Sequence, residues 1–314
     1  MRLRPPIVVA HAGAGTWRYV RSIDLVIKAL KEAVITGLEV LRSGSAIEAA
    51  TECVKVLEDS GVLNAGLGSV VDVLGNVSMD AGVMDGLTGR VGAVAAVSYP
   101  KNPILLAKYV LMSTDHILIA GKYADELAKA LGMEKHPGPS KDVLRRYHEL
   151  LSRLSKGERI GWYRRSYELA KELFNLDTVG SVVLDLEGRL VAAVSTGGVM
   201  LKLPGRVGDS ALVGTGFYAN NYVAAVATGL GEVIIKSFLT LRISDYYNTL
   251  NDLEESVRKA LNDLTLKYGA GTAGVIAVDR LGYVTGQYNT RAMPWAVISY
   301  DLSSAKVLGL PPKE

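Results

Sequence analysis

The stretch LDTVGSVVLDLEGRL, residues 176–190, decides the fold, because a charged segment gives way there to an apolar run. Valines follow Thr178 at once, and β-branched residues favour strands. The pair Glu187-Gly188 is typical of a tight turn, and a second apolar run follows it. We therefore predict a hairpin of two buried strands, with Thr178 at the start of the first strand.

The composition limits the classes of protein to consider. Of the 314 residues, 49% are hydrophobic and 21% are charged, with a net charge of +3. Such a chain can bury a sizeable core as one large domain or two ordinary ones. Its lysines and arginines form no block, which argues against nucleic-acid and anionic-membrane partners. The N-terminal apolar run is too short for a signal peptide or a membrane span, so we expect a cytoplasmic protein. The scarcity of glutamine is a weak sign of a thermophilic host.

Cysteine and histidine usage argues against metal and Cys-His chemistry. The single cysteine, Cys53, excludes an internal disulfide, and its helical spacing with apolar neighbours predicts a core position. The four histidines are scattered along the chain, with no pair at the spacing of metal ligands. A Ser-His or Cys-His hydrolase therefore has little support.

Hydrophobic periodicity extends the prediction outward from the hairpin. Strands are predicted at residues 6–10, around the turn at 74–76, at 91–99, and in a second hairpin that turns at residues 280–282. Helices are predicted at residues 23–41, 45–57, 103–112, 122–131, 218–242 and 253–267. Residues 134–177 are basic and interrupted by Pro and Gly, which is typical of a linker with helical pieces. The hairpins argue against a purely parallel sheet.

Three segments carry residues suited to chemistry. The turn HAGAGT, residues 11–16, has the glycines of a phosphate loop but lacks the Lys-Ser/Thr that should follow them, so a tight turn is favoured. In STGGVMLKLPGRVGDS, Arg206 and Asp209 could hold the carboxylate and the ammonium of an amino acid, or could form an ordinary surface ion pair. In AVATGLGE, Thr228 and Gly229 could form an oxyanion hole or simply cap a helix.

The motifs together resemble one family. DTVG, STGG and GRVGDS at these spacings, with HAGAG, NAGLG and GTAGVIAVD, are similar to plant-type L-asparaginases, also called isoaspartyl peptidases. These are threonine-dependent N-terminal nucleophile hydrolases, and the likeness covers nearly the whole chain except the linker. It implies an α+β fold, a four-layer αββα sandwich. It also implies an α-subunit part at residues 1–177, with 134–177 as the linker region, and a β-subunit part at 178–314, together one αββα domain.

The resemblance implies a self-processing mechanism. The precursor would cleave the Asp177–Thr178 bond, and the freed Thr178 would supply both a nucleophilic hydroxyl and an α-amine as its base, with a pKa of about 7.7–8.0. By the same likeness Thr196 would orient the nucleophile, while Thr228 and Gly229 would stabilise the oxyanion of an acyl-enzyme. Asn64 would assist the self-cleavage.

The resemblance also implies the ligands. Arg206 would bind the α-carboxylate of an asparagine or isoaspartyl dipeptide substrate and Asp209 its α-amine, with Gly229 beside them. No cofactor would be required, but backbone carbonyls near Glu58–Leu67 would hold a structural sodium ion. The processed αβ units would form a dimer, without nucleic-acid or membrane partners.

Alternatives remain within and outside the family. Aspartylglucosaminidases and taspase proteases also have an aspartate at the position of Asp177. Taspases, however, lack the aspartate that corresponds to Asp209, which favours a small β-aspartyl substrate. The alternative from another class is an unprocessed, inactive paralogue that acts as a structural or binding protein.

Overall fold

Two antiparallel-rich sheets form the centre of the molecule. The computed structural model describes residues 1–17, 22–156 and 178–312. The strands of the larger sheet are β1 (Ile7–His11), β2 (Met79–Asp85), β3 (Val91–Val97), β4 (Leu118–Ala120), β5 (Val179–Leu184), β6 (Leu190–Thr196), β11 (Trp295–Ser299) and β12 (Lys306–Leu308). Their order is β12-β11-β1-β5-β6-β2-β3-β4. The predicted hairpin therefore lies in the middle of this sheet as β5 and β6.

The smaller sheet comes from the second half of the chain. Its strands are β7 (Phe217–Ala219), β8 (Val223–Gly229), β9 (Ala273–Asp279) and β10 (Val284–Tyr288), in the order β10-β9-β8-β7. The inner faces of the two sheets pack together through an apolar cluster that includes Ile7, Val182, Val226 and Ile276.

Helices cover the outer faces of both sheets. They are α1 (Ile23–Val40), α2 (Ala46–Asp59), α3 (Pro103–Ser113), α4 (Gly121–Ala130), α5 (Lys141–Ser155), α6 (Gly231–Ser237), α7 (Leu239–Leu250) and α8 (Leu253–Tyr268). Helices α1, α2 and α3 pack against the larger sheet, and α7 and α8 against the smaller one. Cys53 is fully buried on α2, as predicted. The four layers confirm the α+β sandwich expected from the resemblance.

One predicted helix is wrong. Residues 218–229, expected as the start of a helix, form β7 and β8, and the helix begins only at Gly231. Both faces of β8 are buried, so its sequence VAAVATG carries no alternation that would reveal a strand. Pairing with β9 along seven residue pairs decides its conformation. The turn predicted at 74–76 exists, but Val71 and Val77 beside it form only an isolated bridge.

The register of β5 and β6 brings two threonines together. Val179 pairs with Ser195, so the next position outward places Thr178 opposite Thr196. Because side chains alternate along strands, both threonines share the face of Val182 and Val194, which points towards the smaller sheet. The linker region is partly helical, as predicted, since α5 falls within it. Asp177 and the rest of residues 157–177 lie outside the described residues.

Candidate active site

The centre of the candidate site is a pair of buried threonine hydroxyls. Thr178 Oγ1 donates to Thr196 Oγ1 at 3.2 Å. The backbone N–H of Gly198 also donates to Thr196 Oγ1, at 3.0 Å. Thr178 is 6% exposed and Thr196 is 4% exposed. Two hydrogen-bonded hydroxyls thus lie in a site largely shielded from water.

Two side chains fix the turn that follows Thr196. Asn64 Nδ2 donates to the Gly198 carbonyl at 2.6 Å, while its Oδ1 accepts from Val70 N at 3.0 Å. Lys202 Nζ donates to the Gly197 carbonyl at 2.8 Å and to the Ser78 carbonyl. Burial lowers the pKa of Lys202 to about 8. The turn is therefore held from both sides, which keeps Thr196 in place.

Arg206 reaches the same turn from the next loop. A Cβ atom at Gly198 would lie 3.4 Å from Arg206 Nη1 and 2.6 Å from Lys202 Nζ. The guanidinium forms a partly buried ion pair with Glu232, at the start of α6. Burial opposes its charge, but the charge and hydrogen bonds of Glu232 outweigh burial and raise the pKa of Arg206. Arg206 is thus a fixed, fully charged group beside the threonine pair.

Asp209 lies close to Arg206, but Arg206 does not occupy both of its carboxylate oxygens. A Cβ atom at Gly231 would lie 2.7 Å from Arg206 Nη2 and 2.9 Å from Asp209 Oδ1. Asp209 is 4% exposed, and its Oδ2 has no hydrogen-bond partner among the described residues. Burial raises the pKa of Asp209 to about 7, although Arg206 acts in the opposite direction. A buried acceptor without a partner is costly, and a bound ammonium group would satisfy it.

Thr228 and Gly229 end strand β8 and do not cap a helix. The Ala14 backbone N–H donates to Thr228 Oγ1 at 3.2 Å, which connects the HAGAGT segment to β8. Gly229 has φ +141°, and a Cβ atom there would collide with the Thr272 carbonyl oxygen. The N-cap of α6 is Leu230, with no side-chain cap.

The HAGAGT segment contributes a histidine next to Thr178. His11 is fully buried, and its Nδ1 accepts from Gly13 N at 3.2 Å. Burial lowers the pKa of His11 to about 3, although the backbone of Thr178 acts in the opposite direction. His11 is therefore neutral, and its other ring nitrogen, Nε2, carries the proton. The tight turn that the sequence favoured is not formed: residues 12–15 continue beyond β1 alongside residues 292–294, where Ala12 N donates to the Pro294 carbonyl and Gly15 N to the Ala292 carbonyl.

In the loop after α2, several carbonyl oxygens lie close to the glycines of the same loop. A Cβ atom added at Gly66 would lie 2.8 Å from the carbonyl oxygen of Glu58. A Cβ atom added at Gly68 would lie 3.0 Å from the carbonyl oxygen of Gly61 and would collide with the carbonyl oxygen of Leu63. Such carbonyls are suitable ligands for a hard monovalent cation. Among the described residues, no group of His, Cys, Asp or Glu side chains could hold a metal ion. No helix in the same ranges is long and apolar enough to cross a membrane.

The site unites most residues singled out by sequence. Thr178, Thr196, Asn64, Arg206 and Asp209 are connected through Gly198 and Gly231, whereas Asp177 lies outside the described residues. Sequence reasoning missed Lys202 and Glu232. Lys202 is one of three charged residues in STGGVMLKLPGRVGDS, and Glu232 is the one charged residue in AVATGLGE, so both were visible in segments of otherwise small and apolar residues.

Comparison with known proteins finds similar chains. The family described as Asparaginase matches residues 4–307. A plant-type L-asparaginase from Pyrobaculum calidifontis is 45% identical over 291 residues, which covers 91% of this chain and 94% of that protein. One from Pyrococcus horikoshii is 41% identical, covering 92% and 95%. An isoaspartyl peptidase from Escherichia coli is 39% identical over 295 residues, covering 91% of each.

Proposed function

The chain belongs to the asparaginase family, and we propose that it hydrolyses L-asparagine and β-aspartyl peptides and releases L-aspartate. The observation that carries the proposal is the hydrogen bond between the buried hydroxyls of Thr178 and Thr196. Through Gly198 this pair is adjacent to Arg206, and Asp209 follows beyond it. A nucleophile next to a fixed cation and a buried carboxylate suits a substrate with an amino-acid head group.

The first reaction would be self-cleavage. The Thr178 hydroxyl adds to the carbonyl carbon of Asp177, the peptide nitrogen leaves as the α-amine of Thr178, and an ester joins the two residues. Water then hydrolyses the ester and leaves a carboxylate on Asp177. Asn64 supports this step by holding the turn that carries Thr196.

Turnover would use the new chain end. The α-amine of Thr178 has a pKa of about 7.7–8.0, so much of it is neutral near pH 8 and can accept the hydroxyl proton. The Thr178 oxygen attacks the side-chain carbonyl of the substrate, and Thr228 and Gly229 stabilise the oxyanion. Ammonia or an amino acid leaves with the proton. Water then opens the acyl-enzyme and releases aspartate.

The head group would be recognised by charge. The α-carboxylate meets the guanidinium of Arg206, and the α-ammonium meets Asp209, whose Oδ2 has no partner among the described residues. A buried acceptor of this kind favours a small α-amino acid or β-aspartyl peptide over an internal segment of a protein, which has no free α-amine.

The proposal includes a sodium ion as a structural element only, which backbone carbonyls of the loop after α2, such as those of Glu58 and Gly61, would hold. When bound, it would add rigidity to the loop that carries Asn64. Pairing of two processed units into a dimer is likewise a prediction, which light scattering would measure.

A replacement of the nucleophile tests the function. We expect wild-type protein to convert on denaturing gels into fragments of about 19 and 15 kDa, if the 33.5 kDa divide in proportion to length, and to release ammonia from asparagine. Thr178→Ala should abolish both, because no other group replaces the hydroxyl and the amine.

The matched control is Thr51→Ala. Thr51 is also fully buried, but its hydroxyl donates only to the Ile47 and Glu48 carbonyls within its own helix, α2. The control should lose about 1 kcal/mol of stability in thermal unfolding and keep both activities. Cleavage or turnover that survives in Thr178→Ala would contradict the assignment.

A further inference from the structure

The Arg206 guanidinium is held along one edge by Glu232. Arg206 Nε donates to Glu232 Oε1 and Nη2 donates to Oε2, both at 3.0 Å. This is the two-point pairing in which a planar guanidinium and a carboxylate match best. The Arg206 side chain is 14% exposed and that of Glu232 is 32% exposed. The edge of the guanidinium formed by Nε and Nη2 is therefore already paired with Glu232 and does not face a ligand carboxylate in this two-point way.

Glycines fix the position of the guanidinium further. A Cβ atom at Gly208 would lie 2.7 Å from Nη1, and one at Gly231 would lie 2.7 Å from Nη2. The planar guanidinium thus packs against the backbone at two glycines, Gly208 and Gly231, where a side chain would collide with it. Nη1 lies on the side of Gly198, at the turn that follows Thr196. A ligand carboxylate next to the threonines therefore meets Nη1.

Besides Glu232, the charges of Asp80 and Asp209 also act on Arg206, and Asp209 is the one assigned to the head group. Its Oδ1 and Arg206 Nη2 both lie beside Gly231, and because Asp209 is buried and Arg206 is largely so, their opposite charges attract more strongly than they would in water. A direct Arg206–Asp209 pair would consume the cation and the anion that the head group needs.

We propose that Glu232 is a positioning residue for the substrate head group: by pairing with Nε and Nη2 it keeps Arg206 from collapsing onto Asp209 and directs Nη1 towards the α-carboxylate. The inference rests on the proposed function, because it assigns Arg206 and Asp209 to the same ligand. Glu232 acts through Arg206 and does not touch the substrate.

The test is Glu232→Gln, which keeps the size of the side chain and removes its charge. We expect the affinity for L-aspartate, measured by calorimetry, to fall at least tenfold, and the KM for asparagine to rise similarly. The kcat should change much less, because the threonines are untouched. Self-cleavage should proceed at the wild-type rate, since it needs no head group, and this also shows that the variant is folded.

Two further variants separate charge from mere packing. Glu232→Asp keeps the charge but is one methylene shorter, and it should retain more aspartate affinity than Glu232→Gln. The matched control is Glu255→Gln, which removes the same kind of two-point pair with Arg258 on the exposed face of α8. The control should leave binding and turnover unchanged.

A double-mutant cycle tests whether Glu232 acts through Arg206. In an Arg206→Lys background, Glu232→Gln should cause little further loss of aspartate affinity. An additive loss, an unchanged affinity in Glu232→Gln, or an equal loss in Glu232→Asp and Glu232→Gln would overturn the inference while the enzyme's activity stands. A wild-type protein that neither binds aspartate nor releases ammonia would instead refute the proposed function, and the inference with it.

Discussion

The Asp209 carboxylate lies buried with one oxygen that has no hydrogen-bond partner among the described residues. Burial raises its pKa to about 7, so lowering the pH through neutrality protonates it and removes the charge that would attract an ammonium group. His11 stays neutral over this range because burial lowers its pKa to about 3. Lys202 and the Thr178 α-amine, with pKa values of about 8, also titrate near this range, but they would affect ligands with and without an α-amine alike. A pH dependence that requires the α-amine of the ligand should therefore report Asp209.

We predict that L-aspartate binds about tenfold more weakly at about pH 6 than at about pH 8, as a single group with a pKa of about 7 requires. Calorimetry on the processed protein measures this. Succinate, which lacks the α-amine, should show no such loss. Asp209→Asn should bind aspartate weakly at both pH values. A flat aspartate profile in the wild type, or the same profile for succinate, would assign Asp209 a structural role.

At the residue level, the sequence revealed chemical character but not partners. Arg206 and Asp209 were recognisable because they are opposite charges three positions apart among small residues. The role proposed for Thr178 came from the resemblance, because a threonine at the start of a strand is common and by itself indicates no chemistry. Glu232 was missed because its partner Arg206 is 26 positions away, and only the fold brings them together.

At the level of elements, local signals predicted the helices well. Helix α2 begins with a capping box between Ser45 and Glu48, and α1 begins after the Ser22 cap. The prediction for the segment that forms β8 was wrong because its conformation depends on pairing with β9, about fifty residues later in the chain. Strand β11 was not predicted, and it too is set by pairing with β1 from the other end of the chain.

Helix α5 shows that the first half of the linker region is attached to the core. Tyr147 OH donates to the Val73 carbonyl at 3.1 Å, and its ring lies against Gly75. Ahead of the helix, His136 Nε2 bonds the Gly66 carbonyl at 2.9 Å, while its Nδ1 accepts from Gly138 N. These contacts reach the loops beside Asn64 and Lys202. We therefore interpret residues 134–156 as a lasting part of the structure.

We predict that residues 134–156 resist limited proteolysis in the processed protein. Tyr147→Phe removes one partly buried hydrogen bond, worth about 1 kcal/mol, and should speed cleavage within α5 several-fold. Mass spectrometry of the fragments locates the cuts. Tyr123→Phe is the matched control, because Tyr123 is 79% exposed, and its digestion pattern should match the wild type. Equal digestion of α5 in the wild type and in Tyr147→Phe would show that α5 is not held by this contact.

At the level of the whole molecule, the two parts on either side of the proposed cleavage bond are interleaved. Across the larger sheet, β12 and β11 come from the second part, β1 from the first, β5 and β6 from the second, and β2, β3 and β4 from the first. Strand β1 thus lies between β11 and β5, and it pairs with each over five residue pairs. The apolar core between the sheets also draws on both parts.

We predict that cleavage leaves the fragments associated, because separating them would expose both edges of β1, the edge of β2 that pairs with β6, and the apolar surface between the sheets. With an affinity tag at residue 1, the fragment that begins at Thr178 should be retained on the column even at about 1 M salt, where surface charge pairs are screened. Denaturant should release it. Thr178→Ala should elute as one chain under both conditions. Release of the second fragment by salt alone would mean that surface charge pairs hold the parts together. The observed strand order makes apolar burial and backbone pairing the stronger contribution.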